Sequence, residues 1–159
     1  MLFQGNWKIF QSEQVMAGIR RKARIAALQA LYELDCTRHK AEETSARLRA
    51  GETLTQEALD FSEELVKGVL QHESELDALI KRFAPAFPLE QMSIIDKSIL
   101  RLAIFEILFS DKTPLKVAIN EAIELAKDFG SDSSPRLVNG ILGSIATKRG
   151  AAQQSPQGT

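Results

Sequence analysis

The chain has 159 residues, 44% hydrophobic and 26% charged, with a net charge of −1, which fits one ordinary soluble domain with enough apolar material for a core. No run approaches the roughly 18 apolar residues of a membrane span, and the N-terminal stretch lacks the basic and apolar regions of an export signal, so a cytoplasmic protein is expected. A single cysteine, Cys36, excludes an internal disulfide or a multi-cysteine zinc site and reads as a small residue on a helix face.

Residues 1–15 show no clean period, and Met16 stands just before the first patterned segment. LFQG within this stretch resembles the end of a viral-protease cleavage site, so residues 1–17 are expected to be a disordered leader or a cloning remnant. From Ile19, the apolar positions Ala23, Ala26, Ala27, Ala30, Leu31 and Leu34 have helical spacing with small residues on the contact face. A shorter helix is expected over about 39–50, ending at Gly51. The next helix is expected to begin near Thr53, whose spacing to Gln56 suits a capping box, and to carry Leu59, Leu65, Val66, Val69 and Leu70. Glu73 to Ala84 follows, with Leu76, Leu79, Ile80 and Phe83 on one stripe, and Pro85 and Pro88 close that part of the chain.

Ser93, with Asp96 three residues on, opens a segment interrupted only by Asp96, Lys97, Ser98, Arg101 and Glu106; a helix apolar on nearly all sides belongs in the middle of a bundle. Thr113 and Pro114 read as an N-cap and first helical residue of a helix that stops at Gly130. Ser134 and Pro135 repeat the signal for a last helix with Val138, Ile141, Leu142 and Ile145 inward. Gly140 and Gly143 each cost a helix about 1 kcal/mol relative to alanine, a cost expected where another helix crosses closely. No segment alternates like a strand. The fold class is all-α with about seven helices, and the Pro85–Pro88 link separates an N-terminal group from a C-terminal one.

Chemistry is sparse. His39 and His72 have no ligand pair at helical spacing and read as surface residues, and there is no glycine-rich phosphate loop between a strand and a helix. Arg101 and Glu106 interrupt an apolar helix with no nucleophile or second acid identifiable nearby, so charges tying helices together are expected, not catalysis. The charges are segregated: residues 17–32 carry four cations and no acid, whereas residues 41–79 carry ten acids against three bases. The cations Arg20, Arg21, Lys22 and Arg24 fall where a helix start, with its partial positive charge, is least favourable to them. Two readings are open for them: a solvated charged helix start, or a site for an anionic partner, for which the arginine fork favours phosphate. Tyr32 lies about two helical turns beyond Arg24, and an aromatic surface there suits an unstacked base, so single-stranded RNA is the sharpest form of the second reading.

KVAINEAIELAKDFG followed by LVNGIL, together with DKSILRLAIFEI and RRKARIAALQALY, strongly resembles the NusB family of bacterial transcription antitermination proteins, over essentially residues 18–149. The resemblance implies two packed three-helix bundles, at about 18–84 and 89–149, followed by a disordered tail at 150–159. It also implies no catalytic activity and no cofactor. Its implied partners are NusE, a small-subunit ribosomal protein, the single-stranded boxA element of nascent RNA, and the RNA polymerase antitermination complex on ribosomal RNA operons. Carried over by position, the family's arginine-rich motif falls on Arg20, Arg21, Lys22 and Arg24, its RNA-facing tyrosine on Tyr32, and its NusE contacts around Glu90 and Asp96. Where the family often has an acid and then an aromatic near the start of the last helix, a region that also approaches RNA, this chain has Ser133 and Leu137.

Two rivals are set beside this reading. RNA cytosine methyltransferases can carry a NusB-like N-terminal domain, but only the polar AAQQSPQGT follows Gly150 in this sequence. A helical protein-interaction module, or a homodimer whose basic patch is hidden, is the other.

Overall fold

The computed structural model describes residues 3–37 and 54–154. They form six α-helices: α1 (Phe3–Thr37), α2 (Gln56–Gln71), α3 (Glu73–Phe83), α4 (Ile94–Leu108), α5 (Leu115–Phe129) and α6 (Ser134–Gln154), with a 3-10 turn at Leu89–Gln91. No strand occurs among the described residues, so the chain is all-α. The helix expected over about 39–50, its stop at Gly51, His39 and the proposed cap Thr53 lie outside the described residues.

The chain divides into two compact units, Met1–Val66 and Lys67–Thr159. The division falls inside α2, whereas the proline link Pro85–Pro88 lies within the second unit. In the first unit, α1 begins at Phe3 rather than near residue 18, and Gln11 to Val15 are exposed. Once a helix is nucleated, each further residue adds a hydrogen bond for one fixed backbone, so helix continues without an apolar stripe that a sequence pattern would register. The buried face starts further on, with Ala23, Ala26, Ala27, Leu28, Ala30 and Leu31. On α2, Thr55 is the cap: its hydroxyl accepts from the Ala58 N–H at 3.1 Å. Gln56 instead donates from Nε2 to Asp60 at 2.8 Å.

In the second unit, α4 packs against α3, α5 and α6. Every residue from Ser98 to Ile107 is buried, as the near-continuous apolar run requires. Ser93 caps α4 by accepting from the Asp96 N–H at 3.1 Å. Arg101 ties α4 to α3 through a two-pronged bond to Asp77, Nε to Oδ1 at 2.7 Å and Nη2 to Oδ2 at 3.0 Å, with Glu73 at 3.6 Å. Thr113 does not cap α5. Its hydroxyl donates to the buried Glu106 at 3.0 Å, so the loop after α4 is pinned from inside and α5 starts at Leu115 without a side-chain cap. At the head of α6, the buried Ser134 hydroxyl accepts from the Ser131 N–H at 2.9 Å.

The expected close helix crossing at Gly140 and Gly143 is not present, since a Cβ at either position meets nothing within 4 Å. The close approach is at Gly68, where a Cβ would overlap the Phe105 ring. His72 is half-buried rather than a plain surface residue: it stacks on Phe109 with ring centroids 4.1 Å apart, and its Nδ1 lies 3.4 Å from Glu75 Oε1.

Candidate nucleic-acid interface

Because α1 begins at Phe3, Arg20, Arg21, Lys22 and Arg24 occupy the interior of a long helix and not its first turn. Dipole penalties are confined to a helix's end turns, so the electrostatic conflict expected from the sequence is absent. Helical geometry then sorts the four cations. Arg20 and Arg24, one turn apart, share a face, and their guanidinium carbons lie 5.6 Å and 5.5 Å from the centroid of the Phe61 ring on α2. At such distances the ring's negative face attracts the cation. Arg24 is only 2% exposed and Arg20 is half-buried, whereas Arg21 and Lys22 are exposed.

The expectation that all four cations face an anionic partner is therefore corrected for Arg24, whose guanidinium is committed to the interior. Sequence spacing put Arg24 in the cluster, and only the long-range meeting with Phe61 takes it out.

Tyr32 is 44% exposed. At about 100° per residue it lies within roughly 20° of Arg21 around the helix and some 16 Å along it, so an exposed cation and an exposed aromatic share one face of α1. The Tyr32 phenol is held above its ordinary pKa, chiefly by its hydrogen bond with the Cys36 thiol. It stays neutral through the physiological range and adds no charge against an anion.

Glu90 is exposed on the 3-10 turn, with its carboxylate 4.0 Å from Lys81 Nζ. Asp96 is 7% exposed, and its Oδ1 has no hydrogen-bond partner among the described residues. The two acids therefore differ sharply in accessibility.

Ser133 is exposed, its hydroxyl 3.2 Å from that of Ser131. Leu137 lies half-buried in a groove of about 390 Å³, lined also by Phe83, Phe87, Arg136 and Ile141. Neither this groove nor Phe61 was singled out from the sequence. The signal for the groove was Phe83 and Phe87 flanking Pro85, an aromatic pair at the end of a helix where the chain must turn. No cluster of three metal-ligating side chains exists among the described residues, and no helix among them is long and apolar enough to cross a membrane.

Comparison with known proteins places the chain beside one group. The NusB family model matches residues 21–147. The transcription antitermination protein NusB of Dehalococcoides mccartyi strain CBDB1 is 50% identical over 131 residues, covering 82% of this chain and 92% of that protein. Among solved structures, T. maritima NusB matches with a TM-score of 0.74 and 34% identity over 81% of this chain and 91% of that one. A structure of antitermination factors NusB and NusE in complex with dsRNA shares the fold, with a TM-score of 0.72 at 23% identity, covering 82% of this chain and 97% of that one.

Proposed function

Because the chain belongs to the NusB family, we propose that it is a cytoplasmic transcription antitermination factor. In this reading it binds the single-stranded boxA element of nascent RNA jointly with NusE and enters the RNA polymerase antitermination complex on ribosomal RNA operons. It is a binding protein and not an enzyme.

The observation that carries the RNA reading is the exposed side of α1, where Arg21 and Lys22 offer charge and Tyr32, on Arg21's face, offers an aromatic surface. Cations of this kind gain affinity by releasing counterions from the RNA backbone, while a tyrosine face accepts an unstacked base. Arg20 contributes from a half-buried position against Phe61, and Arg24 serves as a buried brace for the segment. NusE is assigned to the surface around Glu90 and Asp96, where Glu90 is the exposed carboxylate and Asp96 lies buried in the first turn of α4. A homodimer that covers α1 would compete with RNA.

Fluorescence anisotropy of a labelled boxA RNA and a scrambled control, with and without NusE and at two salt concentrations, tests this reading. The parent protein is expected to prefer boxA, to bind it more tightly with NusE, and to lose affinity with salt. Arg21→Gln with Lys22→Gln should weaken binding and flatten the dependence of log affinity on log salt by about 0.7 per lost phosphate contact. Equal and weak binding to both RNAs in every condition overturns the proposal, and sedimentation at several concentrations then shows whether a dimer is responsible.

A further inference from the structure

In the first unit, two cations from α1 share one aromatic ring on α2. The guanidinium carbons of Arg20 and Arg24 lie 5.6 Å and 5.5 Å from the centroid of the Phe61 ring, which is itself 8% exposed. An aliphatic side chain would also close this face, but only an aromatic ring attracts a cation. Two like charges held at one ring repel each other, so the arrangement favours letting one of them go. Exposure decides which. Arg24 is 2% exposed, whereas Arg20 is half-buried, and its head can leave by rotation about its own side-chain bonds. Arg20 also stands beside Arg21 and Lys22, the exposed cations assigned above to RNA.

We propose that Phe61 is a positioning residue for RNA. Its ring stores Arg20 in the free protein, and RNA held at Arg21 and Lys22 draws Arg20 off the ring onto a backbone phosphate while Arg24 stays. The inference rests on the RNA-binding reading above and deepens it, because it turns one cation of the cluster into a conditional contact. A two-pronged arginine–phosphate bond is charge-assisted and stronger than a cation–π contact at a partly hydrated site. Arg24 gains the whole ring when its neighbour departs. A stray anion in solution meets Arg20 masked. An RNA already anchored one residue away presents its next phosphate at high local concentration, so the stored arginine answers to a strand and not to a single ion. Three side chains of the cluster then meet phosphate, Arg20, Arg21 and Lys22, with no movement of α1.

The test uses the full chain with nitrogen-15-labelled arginine, a synthetic 12-nucleotide single-stranded RNA containing boxA, and inorganic phosphate as the single-ion control. In the free protein the side-chain Nε–H resonances of Arg20 and Arg24, assigned with single arginine-to-lysine variants, should both carry a ring-current shift from Phe61. RNA should abolish that shift for Arg20 and leave it for Arg24, whereas phosphate should change neither. Affinity is read by anisotropy across salt concentrations. Arg20→Gln should weaken binding and flatten the dependence of log affinity on log salt by about 0.7, the value for one lost phosphate contact on a single strand. Phe61→Leu should tighten binding about twofold to fivefold, the equivalent of one exposed cation–π contact that no longer opposes release. The same substitution in an Arg20→Gln background should gain nothing, a dependence that a merely structural ring would not produce. Helical circular dichroism checks that Phe61→Leu folds, and the resonances of the parent protein decide the matter if it does not.

If RNA binds and depends on Arg21 and Lys22 while Arg20 keeps its ring shift, the stored-arginine proposal is overturned and the α1 reading stands. Release of both arginines together, or release of Arg20 by phosphate alone, also overturns it. A loss of affinity in Phe61→Leu that persists in the Arg20→Gln background would make the ring a structural support only. If RNA binds in no condition, the RNA reading falls and this inference falls with it.

Discussion

Four neighbouring cations on one helix are chemically similar and physically different. Arg24 has been drawn into the interior, where its guanidinium lies over the Phe61 ring and its stem is packed, while Arg21 and Lys22 are exposed. Arg24→Ala should therefore lower unfolding stability by at least about 1 kcal/mol, combining lost packing with a lost cation–π contact. Arg21→Ala should change stability by no more than about 0.5 kcal/mol. Urea melts of the two variants separate them, and equal effects would show that burial does not sort the cluster. Stability and RNA affinity should move in opposite order, with Arg21 mattering more for binding and Arg24 more for folding. Nothing in RRKAR distinguishes the two arginines, because the sorting depends on a ring from a different helix.

Among the helices, local chemistry predicted much and failed where a distant partner intervened. Ser93 caps α4 because its hydroxyl has no stronger call on it, and the apolar run that follows could only be buried. Thr113 carries the same kind of start signal, yet the buried Glu106 takes its hydroxyl, because leaving that carboxylate short of a donor would cost more than an uncapped α5. The length of α1 was illegible for the opposite reason: the sequence before Ile19 carries no apolar period, and Gln11 to Val15 are exposed. Glycine shows the same limit. Gly143 suggested a tight crossing and has open space, whereas Gly68 sits under Phe105 and drew no attention. Gly143→Ala should stabilise the fold by about 1 kcal/mol through helix propensity alone. Gly68→Ala should destabilise it by about 1 to 3 kcal/mol through overpacking. Thermal melts of both variants give the signs, and a destabilising Gly143→Ala would mean that the space beside α6 is occupied in the folded protein.

For the molecule as a whole, a net charge of −1 conceals a basic face on α1 and a run of acids beyond it, so a polyanion is attracted by one region and not by the average. That asymmetry was legible from residue types alone. The family was legible only through the KVAINEAIELAKDFG and LVNGIL stretches, since helical periodicity is shared by unrelated bundles. Which surface takes which partner depends on exposure, and there the fold separates Glu90 from Asp96. If NusE docks around Glu90 and RNA along α1, the two ligands share one protein, and any factor by which NusE tightens RNA must equal the factor by which RNA tightens NusE. Such couplings are commonly about fivefold to 150-fold. Titrating RNA with and without saturating NusE, and NusE with and without saturating RNA, gives the factor twice. Glu90→Gln should lower NusE affinity while leaving the protein's own affinity for RNA unchanged, because this carboxylate lies on the 3-10 turn and is not one of the α1 cations proposed to meet phosphate. A Glu90→Gln variant that binds NusE as the parent does would move the docking surface off this turn, and a variant that gains RNA affinity would show that Glu90 already borders the RNA path.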